Sequence, residues 1–422
     1  MKILYISQYF PPEMGAPAAR AVELSKHWAQ SGHQVTVLTG FPNHPTGIVP
    51  VEYRAPLRHL IAREQCHGVN VLRTWLLPAA NRNAGKRMLN YASFCLSAAL
   101  SGLFLPRPDV VIATSPQLLV GLSGWWLAAW KRVPFVFEVR DLWPESLAAV
   151  GMGNPGSILH RTLAKIAGFL YRRSQRVVVV SPAFEDHLAQ NWKLSRKKIS
   201  VVENGVETQL FAPQNSAELR NQLNLDRKFV VSYIGTLGMA HGLETLISAA
   251  YRLRGAHPEI AFLIVGEGAE KERMLALVAE RRLGNLRFVS QQPREKIPAY
   301  IASSDACLVL LKKSDLFKTV IPTKMLEFMS CSRPVILGVD GQARSILQEA
   351  RAGIAMEPEN VDSLVDAILY LAANRRTAHE LGCNGREYIL RKYSRSETAR
   401  KYITVLEELL QMPPRKARRL AA

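Results

Sequence analysis

Eleven short apolar runs, rich in Val, Ile, Leu and Phe, recur along the chain and alternate with stretches of helical periodicity. In the first half they are Ile3–Tyr9, Val35–Thr39, Val69–Trp75, Val110–Thr114, Phe135–Val139 and Val177–Val180. In the second they are Val230–Ile234, Phe262–Val265, Leu286–Val289, Cys307–Leu311 and Val335–Val339. Such runs are apolar on both faces, so each strand must be covered above and below, as in a parallel sheet. Intervening segments such as Ala18–Ser31 and Leu243–Arg254 supply the crossover helices. The pattern predicts an α/β protein of two doubly wound, Rossmann-like domains, in which ligands bind beyond the carboxyl ends of the strands. A chain of 422 residues has the length for two such domains. The joint is expected at Ile199–Pro213, where strand gives way to an Asn-Gly turn. That divides the chain into residues 1–203, residues 204–395, and a last helix with a basic tail, 396–422.

Charge is unevenly placed. Residues 1–200 carry 23 Lys and Arg against 10 Asp and Glu, or +13; residues 201–422 carry 31 against 25, or +6, and four of those cations lie in the terminal PPRKARRLAA. A basic first half attracts phosphorylated substrates, an anionic membrane or nucleic acid. The five cysteines are odd in number and form no C-x-x-C pair, which fits a reducing compartment and no zinc or disulfide framework. No secretory signal is expected, because MKILYISQY enters directly into a strand. Met88–Leu105 is apolar but holds Asn90, three serines and a glycine, so a buried or interfacial helix is expected rather than a span. Arg82, Lys86 and Arg87, with Trp125, Trp126, Trp130, Lys131 and Arg132, form basic–aromatic clusters suited to a headgroup interface; for the tryptophans the alternative is core packing.

Five segments carry the chemistry. In Thr319–Pro334, TVIPTKMLEFMSCSRP, Thr323 is expected to cap a helix whose free amides favour an anion. Lys324 adds a cation in the same turn, and Glu327 presents a carboxylate one turn further on, at the reach of sugar hydroxyls. Gly235–Gly242, GTLGMAHG, follows an apolar run and opens a helix, with His241 able to add a hydrogen bond or a charge. Gly266-Glu267-Gly268 repeats that arrangement. In the first half, PPEMGAP brings Gly15 to a strand end, and Glu138-Val139-Arg140-Asp141 brings a carboxylate, Asp141, that can bind hydroxyls or take a proton. An Arg140–Asp141 structural pair is the alternative. Gly151–Gly156 matches a dinucleotide fingerprint by letter only, since no strand precedes it and Pro155 interrupts it. There is no Asp-x-Asp for a metal-held diphosphate.

Taken together, YFPPEMGAP, VENGVETQLF, YIGTLGMAHGLETLI, IVGEGAEKERM and IPTKMLEFMSCSRPVI resemble the family 4 glycosyltransferases of the GT-B fold along nearly the whole chain. Within that family the chain looks most like the bacterial L-fucosamine transferases of surface-polysaccharide synthesis. The resemblance implies two Rossmann-like domains facing a central cleft, with the acceptor on the first and the nucleotide sugar on the second. It implies that Gly235, His241, Gly242, Gly268, Lys324 and Glu327 line the donor site, with Glu327 on the ribose, and that Gly15 closes over the phosphates; Thr323 is expected there as the cap of its own turn. It also implies retention of anomeric configuration, no metal or other cofactor, and a last helix that runs back across the first domain. Four positions depart from the family pattern: Thr319 replaces a Glu, Thr236 and His241 replace an Arg and a Lys, and Arg140 replaces a His.

The expected function is transfer of a sugar, such as an N-acetylated amino sugar, from a UDP-linked donor to a lipid-linked saccharide. Lys324 and Asp141 are the expected catalytic residues; Glu138, Arg140 and Thr319 are expected on the acceptor or sugar side. The expected location is the cytoplasmic face of the cell membrane, held peripherally on anionic lipid. One rival is a GT-B nucleotide-sugar epimerase, which needs no lipid acceptor. The other, a nucleic-acid-binding protein, has charge in its favour but no binding motif.

Overall fold

The computed structural model describes residues 1–44, 46–80, 84–146 and 156–411. Arg82, the Gly151–Pro155 part of the fingerprint-like segment and the terminal PPRKARRLAA lie outside the described residues. Strands in chain order are β1 (Lys2–Ile6), β2 (Gln34–Gly40), β3 (Ile61–Cys66), β4 (Val69–Thr74), β5 (Val110–Thr114), β6 (Phe135–Val139), β7 (Arg176–Val179) and β8 (Ile199–Val201), then β9 (Phe229–Ile234), β10 (Ile260–Val265), β11 (Leu286–Val289), β12 (Ala306–Leu310), β13 (Val335–Gly338) and β14 (Gly353–Ala355). They form two sheets, ordered β3-β4-β2-β1-β5-β6-β7-β8 and β11-β10-β9-β12-β13-β14. Every pairing is parallel except β3 with β4. In each sheet the first strand lies internally and the order reverses beside it, which leaves a crevice at the carboxyl ends.

The central strands β1, β5, β6, β9, β10 and β12 are buried along almost their whole length, as their apolar sequences require. Helices approach them closely where side chains are small. A Cβ on Gly124 of the helix Val120–Lys131 would lie 2.6 Å from Ala113 Cβ and 2.9 Å from the Phe135 ring. Two strands have no such apolar signature. β3 alternates exposed and half-buried residues on the outer edge and pairs back on β4 around His67-Gly68, while β14 has only three residues. β1 ends at Ile6 rather than Tyr9; beyond it Ser7 N–H still donates to the Leu38 carbonyl (3.1 Å), while Ser7 Oγ donates to the Tyr9 carbonyl (2.8 Å).

The last helix, Arg395–Gln411, returns to the first domain and lies along the helix Ala16–Gln30. Trp28 is fully buried between Tyr5 and Tyr402, with ring centroids at 5.3 and 5.1 Å, and its indole N–H donates to the Ala399 carbonyl. The Met88–Leu105 segment is a helix, Ala84–Leu103, that buries Asn90, Tyr91, Phe94 and Ala98 and turns Leu89, Leu96 and Leu100 outward. Among the described residues no helix is long and apolar enough to cross a membrane. The tryptophans divide between their two readings: Trp125 and Trp126 pack against the first core, while Trp130 is 67% exposed.

Candidate active site

In the second domain the turns after β9 and β10 lie against each other. Leu237 N–H donates to the Glu267 carbonyl (2.8 Å) and Glu270 N–H returns to the Leu237 carbonyl (3.0 Å). Only glycine fits at this seam: a Cβ on Gly266 would stand 2.0 Å from the Gly235 carbonyl oxygen, and one on Gly268 would stand 2.2 Å from that of Leu237. Lys324 reaches the same place from the helix Thr323–Ser330. Its Nζ donates to the Tyr233 hydroxyl (2.8 Å), lies 4.0 Å from the ring centre, and would meet a Cβ on Gly235 at 2.9 Å. Tyr233 in turn donates to the Thr236 carbonyl (2.8 Å). Burial lowers the Lys324 amine to about 7, an effect Glu327 partly offsets. A buried amine poised between its two forms beside close-packed glycine turns has the chemistry to take up a multivalent anion.

Other expected residues are placed differently from their sequence reading. Thr323 is not the cap: Pro322 holds that position without a side-chain bond, and Thr323 is the first helical residue. No side-chain oxygen caps the first turn, whose Met325 N–H donates to the Pro322 carbonyl (3.0 Å). His241 is driven down to about 3 by burial and by Lys324, and its Nδ1 lies 3.2 Å from the Gly238 carbonyl. It is therefore a neutral group near the site and contributes no charge in this arrangement. Gly242 has φ +56 and faces Lys312 and Glu359. A cavity of about 490 Å³ opens there, lined in part by Gly238, Met239, Arg273 and Lys312, and does not include Lys324 or Glu327. Glu327 is buried, and its Oε1 accepts from Arg294 (3.0 Å).

On the first domain, Glu138 corrects the acceptor-side expectation. It is fully buried; Oε1 accepts from Arg20 (2.8 and 3.1 Å) and Oε2 from the Tyr5 hydroxyl (2.9 Å). Burial alone pushes its carboxyl up, but Arg20 and Arg140 hold it below the usual range. Arg20 also reaches the carbonyls of Val202 and Glu203 and Asn204 Oδ1, so the pair fastens the first sheet to the chain leaving it. Arg140 donates to the Ala16 and Pro17 carbonyls (3.1 and 3.4 Å), which ties β6 to the Gly15 turn rather than leaving it for an acceptor. Gly15 ends that turn at φ +127, a conformation that disfavours any side chain. Asp141 follows, raised to about 6 by burial against the opposing pull of Arg140. Thr319 lies at the domain seam: its carbonyl accepts from Ser181 Oγ, and its own hydroxyl donates to Leu316 O.

The sequence reading missed the polar groups after β1 and β2. Tyr9 and Tyr91 hydroxyls are 3.4 Å apart, His44 packs edge-on to Tyr9, and Glu13 Oε1 accepts from the Asn43 and His44 amides, each at 2.9 Å. Burial raises Glu13 to about 7 and lowers His44 to about 4. The available signal was the strand-end rule already applied to the second domain, since YFPPE and FPNH each leave a carboxyl end. Arg294, which holds Glu327, lies in no quoted motif, and Tyr233, which holds Lys324, opens the YIGTLGMAHGLETLI motif without having been singled out.

Two Rossmann-like α/β domains, each built on a largely parallel sheet, are the architecture of the GT-B class. A model described as "Glycosyl transferase 4-like domain" matches residues 15–205, and one described as "Glycosyl transferases group 1" matches residues 215–388. The chain belongs to the GT-B glycosyltransferases of this group 1, family 4-like kind. It is 27% identical to "Putative colanic acid biosynthesis glycosyl transferase WcaI" of Escherichia coli (strain K12) over 96% of this chain and 99% of that one. In fold it is similar to sucrose-phosphate synthase from Thermosynechococcus elongatus (TM-score 0.77, 22% identity, 97% and 98% of the two chains). It is also similar to Anabaena HepE in complex with UDP-glucose (TM-score 0.71, 18% identity, 97% and 100%).

Proposed function

We propose that this glycosyltransferase moves a sugar, with retention, from a UDP-linked donor to a lipid-linked saccharide in surface-polysaccharide synthesis. The observation that carries the reading is Lys324, a buried amine set at the meeting of two glycine turns. As the bond from C1 to the leaving oxygen breaks, negative charge grows on the diphosphate. Lys324 and the turn amides oppose that charge more strongly than the charge of the intact donor, which lowers the barrier. Glu327 holds the ribose, and Asp141, just past the carboxyl end of β6 in the first domain, binds an acceptor or sugar hydroxyl. Residues 1–203 serve the acceptor and residues 204–395 the donor. The WcaI name supports a polysaccharide role, the HepE complex supports UDP, and a donor of the N-acetylated amino-sugar class fits the sequence resemblance. Neutralisation by Lys324 and amides needs no metal, so chelation with EDTA is expected to leave the rate unchanged.

The test is product analysis with UDP-sugars and lipid-diphosphate saccharides in anionic vesicles. The expected result is a new glycosidic bond whose anomeric configuration, read by NMR, matches that of the donor. Inversion at C1 overturns the retaining mechanism, and conversion of the donor to its epimer without an acceptor overturns the transferase reading of the site.

A further inference from the structure

A buried ionic chain joins the expected ribose carboxylate to the other domain. Arg294, in the turn Arg294–Lys296, donates through Nη1 to Glu327 Oε1 (3.0 Å) and through Nε and Nη2 to Glu23 Oε1 (2.9 and 2.6 Å). Its guanidinium is stacked 4.8 Å from the Phe211 ring centre, which fixes its plane at the segment between the two sheets. Glu23 is 6% exposed and belongs to the helix Ala16–Gln30, which Gly15 precedes as its N-cap. Its second oxygen accepts from Arg395 Nε (2.7 Å), at the start of the returning helix. Two carboxylates and two guanidiniums thus alternate across the first domain, the returning helix and the helix of Lys324.

We infer that Arg294 is the positioning residue for Glu327, and that Glu23, through Arg294, makes nucleotide affinity depend on how the first domain sits. The inference rests on Glu327 being the ribose carboxylate. Arg294 occupies only Oε1; among the described residues Oε2 accepts no hydrogen bond and is left for ribose hydroxyls. The fork geometry matters. Bonds from one planar guanidinium to Glu23 and Glu327 fix the direction of both, which a lysine cannot do. When Glu23 loses its charge, Arg294 is held from one side only and the Glu327 carboxylate loses its fixed direction. Arg294 touches no reacting atom in this scheme. It acts on binding through Glu327, and its loss is felt in nucleotide affinity before it is felt in the chemical step.

The test measures UDP binding by calorimetry, with GDP as the second probe, in the wild type and in Glu327→Gln, Glu23→Gln, Arg294→Lys, Arg294→Ala and Glu23→Gln/Arg294→Ala. Glu327→Gln raises Kd if the site reading holds. Glu23→Gln then raises Kd by about 3- to 10-fold although it stands on the other domain, Arg294→Ala raises it further, and Arg294→Lys recovers only part. The double variant binds no worse than Arg294→Ala alone. If Arg294→Ala does not fold, Glu23→Gln and Arg294→Lys carry the test, each checked by its melting curve. An unchanged Kd in Glu23→Gln beside a raised one in Glu327→Gln overturns the coupling alone, as does an additive double variant. No effect of Glu327→Gln, or no nucleotide binding by the wild type, overturns the site reading and the inference with it.

Discussion

The environment of Lys324 fixes the sign of the pH dependence of nucleotide binding. The amine sits at about 7 in the free protein, well below its ordinary 10.5, because burial disfavours the charged form. A diphosphate stabilises the ammonium and raises that value, so between the two values binding takes up a proton. Nucleoside-diphosphate affinity is therefore greatest below about pH 7 and falls as pH rises through 7 towards 9, by up to about tenfold per pH unit. Calorimetry at pH 8 in two buffers of different ionisation enthalpy should report uptake of close to one proton, lost in Lys324→Met. An affinity that rises with pH contradicts the assignment. Asp141 behaves in the opposite sense: burial places it at about 6, so the carboxylate is present only above that pH.

At the scale of elements, the returning helix is fastened by one ring. Trp28 has no exposed surface and fills the space between Tyr5 and Tyr402. Trp28→Ala should cost about 3–5 kcal/mol through lost burial and the cavity left behind. The check is the denaturation midpoint, together with earlier proteolysis in Arg395–Gln411; an unchanged midpoint contradicts this packing role. Most of the fold was legible for a physical reason: buried parallel strands such as Val110–Thr114 and Phe135–Val139 need apolar residues on both faces, and the sequence displays that need directly. β3 was not legible, because an edge strand with one wet face carries Arg63 and Glu64 where a central strand carries Val. In the site, Lys324 and the glycines were legible as local turn chemistry. Glu138 was misread because its partner Arg20 lies 118 residues away, a proximity that only the folded chain creates. Arg294 was invisible for the same reason, standing 271 residues from Glu23.

For the whole molecule, the basic charge and the outward apolar stripe belong to the same domain. Leu89, Leu96 and Leu100 are 59%, 64% and 53% exposed along one helix, and Phe104 just beyond it is 85% exposed. Such a stripe beside cations is suited to lying in a headgroup layer, where apolar burial and lipid charge act together. Vesicles rich in phosphatidylglycerol should bind the protein in flotation, with binding that weakens as salt rises, whereas phosphatidylcholine vesicles should not. Leu96→Glu/Phe104→Glu should abolish flotation while leaving UDP binding intact. Equal binding to both vesicle types contradicts this placement.

The most direct test of the central claim is a UDP titration of the wild type against Lys324→Met without added metal. Saturable binding by the wild type is expected, with a loss of about 10- to 100-fold in the variant, the scale of one charged hydrogen bond in a buried site. Equal affinities in the two proteins would contradict it, because the diphosphate would then be held somewhere other than the meeting of the two glycine turns.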